Sequence, residues 1–389
     1  MSSLAANTED RTPDRRGYAP SRGSILLAAC GVSLCSMLLA CGGDDGGGAG
    51  DGEPADDDAG TGASSCLKTV AELDGPATYV YTVDWSPVDD YALAGTDEDI
   101  RLIRADTEAE KLELVDSLLK TPKANVVRWS ADGRFALSAG LELELLAVPR
   151  DPPELVFVAS YTGHEADIYG LDWHPDGAHA LTGGRDGTVR LLAVDLDAGT
   201  LTEQAIFYGH VGKVLAVSWA PDGRHAISVG EDGTVRLLEV DFDADPIEIR
   251  QLALEVDGDL ENSVSWAAGG DLVLTGTWFE RHVVQAWSAD VEAGTLSLMK
   301  ESVPNTTGIT TLEWTRDHQR IATAGHDDTL ALSTYADGEL TSMARLEGHD
   351  TGVHAVSWSV DENDLVMASS MIDRVSLVDA RDCPRSEPR

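Results

Sequence analysis

Tryptophan returns along this chain at nearly fixed intervals: Trp85, Trp129, Trp173, Trp219, Trp266, Trp314 and Trp358, separated by 44, 44, 46, 47, 48 and 44 residues. A repeat of about 40–45 residues is the length of a propeller blade made of four short strands. Seven copies predict one closed ring. A chain of 389 residues has the length of two or three ordinary domains, but a ring of this period takes up most of it. The predicted fold class is therefore all-β, a seven-bladed β-propeller.

The third repeat shows the unit most clearly. Gly163-His164 precedes a strand-like run ending at Leu171-Asp172-Trp173. His174-Pro175-Asp176-Gly177 then forms a tight turn, with Pro and Gly where turn dihedrals require them. Ala178 to Gly183 is a second strand, Arg185-Asp186-Gly187-Thr188 a second turn, Val189 to Val194 a third strand and Thr200 to Phe207 a fourth. The fourth repeat copies it through Gly209-His210, Trp219, Pro221-Asp222-Gly223 and Glu231-Asp232-Gly233-Thr234.

These motifs resemble those of WD-repeat propellers, over about residues 67–380. The resemblance implies a hydrogen-bonded network in each blade, joining the GH histidine, a strand-two Ser or Thr, a turn Asp and a strand-three Trp. The matching residues are His164, Thr182 and Asp186; His210, Ser228 and Asp232; and His349, Ser369 and Asp373. The sixth repeat keeps Thr323 and Asp327 without a GH pair. The strand-three Trp is replaced by Leu192, Leu238 and Val378, and survives only as Trp287 in the fifth repeat. The polar groups of the other networks are then expected to satisfy one another. The second repeat lacks the DGT turn at Leu141–Leu145. The fifth has Trp278-Phe279-Glu280-Arg281-His282 in its place, a bulky turn open to local repacking or to use as an exposed contact. The recurrent tryptophans are expected between sheets, as core.

The first forty residues read as an address. Arg11, Arg15, Arg16 and Arg22 precede an apolar run from Ile25 to Ala40, short for a membrane span and suited to a signal-peptide core. Leu38-Leu39-Ala40-Cys41 resembles the lipobox of bacterial lipoproteins, which implies lipidation of Cys41 and cleavage before it. Arg15-Arg16 fits a twin-arginine export signal poorly. Residues 42–65 have no apolar period and are expected to be a disordered Gly/Asp-rich tether with a reach of roughly 27 Å. The expected division is a signal peptide at 1–40, lipidated Cys41 and tether at 41–65, the propeller at 66–383 and a tail at 384–389. Gly42, rather than Asp, after Cys41 favours the outer membrane if the source has one.

In WD-repeat propellers the N-terminal segment supplies the outer strand of the last blade. The resemblance assigns that role to Leu67–Leu73, beside the three last strands Val353–Trp358, Asp364–Ser369 and Arg374–Asp379. With Cys30 and Cys35 in the signal and Cys41 lipidated, Cys66 and Cys383 remain. They fall where the hairpin joining those two strands would lie in another blade. A ring-closing disulfide between them is expected, and the exported compartment allows it.

The formal charge is −40, and −41 for the chain from Cys41 onward. Nucleic acid and anionic lipid both require basic patches, so no nucleic-acid partner is expected. HExxH, GxSxG and GxxxxGKS are absent from the sequence, and no catalytic residue, cofactor or metal is assigned. His326-Asp327-Asp328 reads as a structural turn. The acidic turns after the third strands, at Asp195-Leu196-Asp197, Asp241–Asp245 and Asp290-Val291-Glu292, lack a full calcium-loop spacing. They make one face strongly negative.

The family precedent places partners at the narrower face and mouth of the central channel. Residues beginning the inner strands are the candidates there: Tyr79, Tyr81, Lys123, Asn125, Asp167, Tyr169, Lys213, Asn262 and His354. The resulting expectation is a monomeric, membrane-anchored, non-catalytic protein-binding scaffold of the cell envelope. Two alternatives stand beside it: an enzyme, small-ligand or metal binder using the channel, and an envelope-assembly component docking a basic partner on the acidic face.

Overall fold

The computed structural model describes residues 66–383, apart from 76–77, 120–122, 305–306, 316–317, 337, 348–350, 360–364 and 371–373. Cys41, the signal and tether segments and the tail lie outside the described residues, as do His349 and Asp373.

The described residues form 28 strands in seven four-stranded antiparallel sheets. Blades one to seven begin with the inner strands Val80–Trp85, Val126–Trp129, Ile168–Trp173, Val214–Trp219, Glu261–Trp266, Ile309–Trp314 and Val353–Trp358. Each sheet runs outward in chain order except the last. There the N-terminal strand Lys68–Asp74 pairs with Arg374–Asp379, in the register Lys68↔Asp379 and Leu73↔Val375. A strand from one end of the chain thus completes the blade made by the other end, and the ring has no free radial edge at the junction.

Sequence composition follows radial position. Second strands such as Tyr91–Thr96 and His179–Gly184 are almost wholly buried and rich in Ala, Leu and Gly, because neighbouring blades cover both faces where they converge. Outer strands such as Lys111–Leu119 are mostly exposed or half-buried, with Leu112 the one buried residue in that strand. The recurrent tryptophans lie between sheets. Six of the seven are buried, and Trp173 is half-buried. Three indoles donate back to the preceding blade: Trp129 to the Asp84 carbonyl at 3.0 Å, Trp173 to that of Arg128 at 3.1 Å, and Trp358 to that of Glu313 at 3.3 Å. Removing one such side chain costs about 3–5 kcal/mol.

The strand ends differ slightly from the sequence expectation. The last blade's second strand is Leu365–Ser370, and the third blade's outer strand extends to Tyr208. The second repeat, which lacks the DGT turn, still makes a third strand, Leu143–Ala147, after a turn in which the Gly140 N–H donates to the Glu142 carbonyl.

Candidate functional site

Six of the seven inner strands carry a β-bulge between their first and third residues. A bulge leaves one residue unpaired and re-aims its side chain. The residues so released are Tyr81, Tyr169, Leu215, Asn262, Thr310 and His354, and all of them line the central cavity. The second blade pairs regularly from Val126, and Asn125 just before it completes the ring. One local irregularity, repeated around the axis, builds the mouth of the channel.

The mouth residues also tie neighbouring blades together. Asn125 Nδ2 donates to the Ile168 carbonyl at 2.9 Å and Asn262 Nδ2 to the Thr310 carbonyl at 2.7 Å. Thr310 Oγ1 donates to the Val353 carbonyl at 2.7 Å.

Five of the candidate contact residues come together here. Tyr79, 47% exposed, stacks on Tyr81 at 6.2 Å between ring centroids, and His354 meets Tyr81 edge-on at 5.7 Å. The Lys123 ammonium lies 5.0 Å from the Tyr81 centroid and 5.9 Å from that of Tyr169, within cation–π range. Burial and the Asp97 carboxylate raise the Tyr81 pKa. Burial raises that of Tyr169, with help from Asp167. Burial also lowers the His354 pKa, and the nearby His326 and Lys123 add to this, so its ring is neutral at pH 7. Tyr79, Lys123, Asp167 and Lys213 lie outside the cavity lining itself. The Lys213 ammonium pairs with Glu231 at 3.4 Å.

The fifth-blade turn lies on the same face. Asp259 accepts the backbone N–H groups of Phe279, Glu280 and Arg281 at 2.9–3.2 Å, which fixes the loop, and leaves Phe279 69% exposed. Trp278 packs edge-on against His326 at 4.6 Å.

Deeper in the cavity, of about 490 Å³, is a layer that the sequence reading did not identify. It consists of the residues just before six of the repeat tryptophans, Asp84, Arg128, Asp172, Ser218, Ser265 and Glu313; Ser357, before the seventh, is buried outside the cavity lining. Asp84 accepts the Trp129 N–H at 2.7 Å, Asp172 that of Trp219 at 2.8 Å, and Ser357 Oγ that of Trp85 at 3.0 Å. These carboxyls touch the channel but have protein packed around them. Burial therefore pushes Asp84 and Asp172 up to about 6 and Glu313 up to about 8, with Arg128 opposing the shift. The signal was present in the sequence as the x of every x-Trp pair.

The blade networks lie between this layer and the blade surface. His164 Nδ1 is 3.0 Å from Asp186 and its Nε2 is 2.8 Å from Thr182 Oγ1. In the fourth blade His210 makes the same contacts with Asp232 at 3.0 Å and Ser228 at 2.8 Å. Burial lowers both histidine pKa values, so each neutral ring donates from Nδ1 to the carboxylate and accepts the hydroxyl proton at Nε2. The hydroxyl therefore has a partner without any indole. Arg190 and Arg236, two residues after the turn threonines, join the carboxylates at 3.4 and 3.3 Å, members that the sequence reading missed. The fifth blade uses another set: Trp287 Nε1 donates to Thr275 Oγ1 at 3.0 Å, and Thr275 donates to Gln285. Ser369 accepts the Ala355 N–H at 3.0 Å.

At the outer side of the seventh blade, Cys66 and Cys383 are joined by a disulfide, with 5.0 Å between Cα atoms and 317 residues of separation.

Comparison with known proteins adds to this geometry. Residues 65–104, 155–191 and 201–238 match the family described as WD domain, G-beta repeat. These three stretches resemble WD40 repeats. Each match begins on the outer strand of one blade and continues through three strands of the next, the same offset that closes the ring at its last blade. A stretch of 123 residues is 26% identical to actin-interacting protein 1 of Drosophila melanogaster, covering 32% of this chain and 20% of that protein. The matched part is thus about a fifth of the relative's length. A chain in the crystal structure of the mitotic checkpoint complex superposes with a TM-score of 0.67 over 89% of this chain and 99% of its own, at 18% identity. That likeness is one of fold.

Proposed function

We propose that this WD-repeat propeller is a monomeric, non-catalytic protein-binding scaffold of the cell envelope, held by lipid on Cys41 and binding its partner at the channel mouth. The observation that carries the binding reading is the cluster of Tyr79, Tyr81, Tyr169, His354 and Lys123. Rigid aromatic side chains beside a charge are the anchors that dominate protein interfaces. Tyr81, Tyr169 and His354 stand on inner strands, and Tyr79 and Lys123 just before them; hydrogen bonds between blades fix these strands, which limits the entropy lost on binding. Exposed Phe279 on the same face extends the apolar surface.

The lipobox-like Leu38-Leu39-Ala40-Cys41 and the polar stretch at 42–65 support the anchor. The Cys66–Cys383 disulfide is consistent with an oxidising compartment. Gly42 favours an outer membrane where one exists. In this reading the mature protein is a tether at 41–65, the ring at 66–383 and a short tail.

Affinity capture of the native lipoprotein from membranes, at low and high salt, tests the reading. A stoichiometric protein recovered with the chain from Cys41 onward, and a Cys41→Ala protein that leaves the membrane fraction, are the expected results. Absence of any partner at both salts and retention of Cys41→Ala in membranes would overturn it. One observation favours a second reading, a small-ligand site: Asp84, Arg128, Asp172 and Glu313 converge on one cavity. Turnover or saturable binding of a small molecule, lost in Arg128→Ala, distinguishes it.

A further inference from the structure

The turn joining the two innermost strands of the third blade, His174-Pro175-Asp176-Gly177-Ala178-His179, carries two imidazoles and a carboxylate whose donor atoms converge. His174 Nδ1 lies 2.8 Å from Asp176 Oδ1, and His179 Nδ1 lies 2.8 Å from Asp176 Oδ2. All three donors are within 4.8 Å of one another. We propose that His174, Asp176 and His179 form a binding site for a first-row divalent cation, with Zn²⁺ the ion that fits best.

The tautomer of His174 is set for coordination. Its Nε2–H donates to the Gly223 carbonyl in the next blade at 2.7 Å. This leaves the Nδ1 lone pair on the side of Asp176. A backbone carbonyl on the far nitrogen is the usual orienting partner of a metal-binding imidazole. Without an ion, that lone pair accepts the Asp176 N–H at 3.0 Å, a bond that coordination replaces. The ring is also held sterically, edge-on to Trp219 at 4.6 Å and to Phe242 at 5.4 Å, with only 11% of its side chain exposed. Phe242 flanks His179 as well, at 5.1 Å. One side of the cluster is thus apolar and rigid. Asp176 and His179 open the other side to solvent.

The donor set selects the ion class. Two imidazole nitrogens and one carboxylate oxygen, without a thiolate, suit Zn²⁺, and Cu²⁺ or Ni²⁺ by affinity order. Zn–N and Zn–O distances of about 2.0–2.2 Å place the donors of a tetrahedral site about 3.3 Å apart. Seating the ion requires the two 2.8 Å contacts to widen by about half an ångström and any donor pair standing as far apart as 4.8 Å to close towards about 3.3 Å, with water in the fourth position.

The fourth blade provides an internal comparison. Its equivalent turn is Ala220-Pro221-Asp222-Gly223-Arg224-His225, and His225 Nδ1 lies 2.6 Å from Asp222. The His–Asp pair is therefore a general feature of this turn. The third donor is particular to the third blade, since Ser86, Ser130, Ala220, Ala267, Thr315 and Ser359 follow the other repeat tryptophans. The acidic hairpins at Asp195–Asp197 and Asp241–Asp245 lie at the same end of the blades, and their field concentrates cations there.

Titration calorimetry of Zn²⁺ into the chelator-stripped mature chain in detergent tests the site. One saturable site per chain is expected, at least tenfold weaker in His179→Ala and in Asp176→Asn, and unchanged in His225→Ala. The asparagine keeps an acceptor for the Ala178 N–H that now caps the turn at 2.7 Å, so this variant retains the fold. Co²⁺ should give the visible absorption of a four-coordinate site in the parent and lose it in His179→Ala. No saturable site, or many weak sites equal in all four proteins, would overturn the proposal and assign the binding to the diffuse acidic surface.

Discussion

His354 donates from Nδ1 to the carbonyl of Tyr81, 273 residues earlier, at 3.1 Å. At the other end of the same inner strands, Ser357 Oγ accepts the Trp85 N–H at 3.0 Å. Two hydrogen bonds therefore join blade seven to blade one at both ends of the channel. Replacing His354 by Phe keeps the ring's volume and leaves the Tyr81 carbonyl without its donor. The expected loss is about 1 kcal/mol, read as a lower urea midpoint with faster amide exchange at residues 80–82.

Closure also depends on Cys66 and Cys383. Their bond spans 317 residues, and chain-entropy reasoning gives on the order of 5 kcal/mol as an upper bound. A Cys66→Ser/Cys383→Ser protein, or the parent under reductant, should melt several degrees lower. The paired strands Lys68–Asp74 and Arg374–Asp379 should become the first protease-sensitive elements. Identical melting with and without reductant would contradict this role.

The channel carboxyls should make stability fall on the alkaline side. Glu313 has a folded pKa of about 8 against an ordinary 4.5, so the folded state holds its proton more tightly. The associated stability is fully present below pH 4.5 and is lost as pH rises through 8. Asp84 and Asp172, at about 6, act with the same sign between pH 4 and 6. Glu313→Gln keeps an acceptor for its neighbours and removes the charge. The unfolding free energy from urea titration should match the parent at pH 4.5 and exceed it at pH 9, by on the order of 3 kcal/mol.

The blade networks act in the opposite direction. Burial opposes ionisation of Asp186 and Asp232, but their hydrogen bonds prevail: Thr188 and the Glu165 N–H hold Asp186, and the Val211 N–H and His210 hold Asp232, each at about 2. Their contribution is present above the ordinary 3.8 and is lost as pH falls through 2. His164 and His210, lowered by burial, contribute fully above pH 6.5 and lose that contribution as pH falls below it. Asp186→Ala leaves a buried imidazole N–H without its acceptor and should cost about 1–3 kcal/mol at pH 7. Chemical denaturation of the single variant checks the value.

Much of this architecture was legible because it rests on period and turn chemistry. The tryptophan spacing fixes the blade count, and the PDG and DGT turns fix strand order within a blade. The mouth was legible in part: Tyr81, Tyr169 and His354 begin inner strands. The β-bulges that turn these side chains into the channel leave no compositional mark, so Leu215 and Thr310 were missed. The carboxyl layer was overlooked for another reason. Asp84, Asp172 and Glu313 look like ordinary alternating polar positions until ring closure brings blades distant in sequence around one axis. The same holds for His174, whose orienting partner Gly223 is 49 residues away.

The central claim is that the partner binds the channel mouth rather than the acidic face. Site-specific photocrosslinking in intact cells tests it most directly, with the photoreactive residue at position 79 on the mouth and, separately, at position 243 among the acidic hairpins. The account predicts one discrete protein adduct from position 79, lost when Tyr81 and Tyr169 are both changed to Ala, and none from position 243. An adduct from position 243 alone would contradict it.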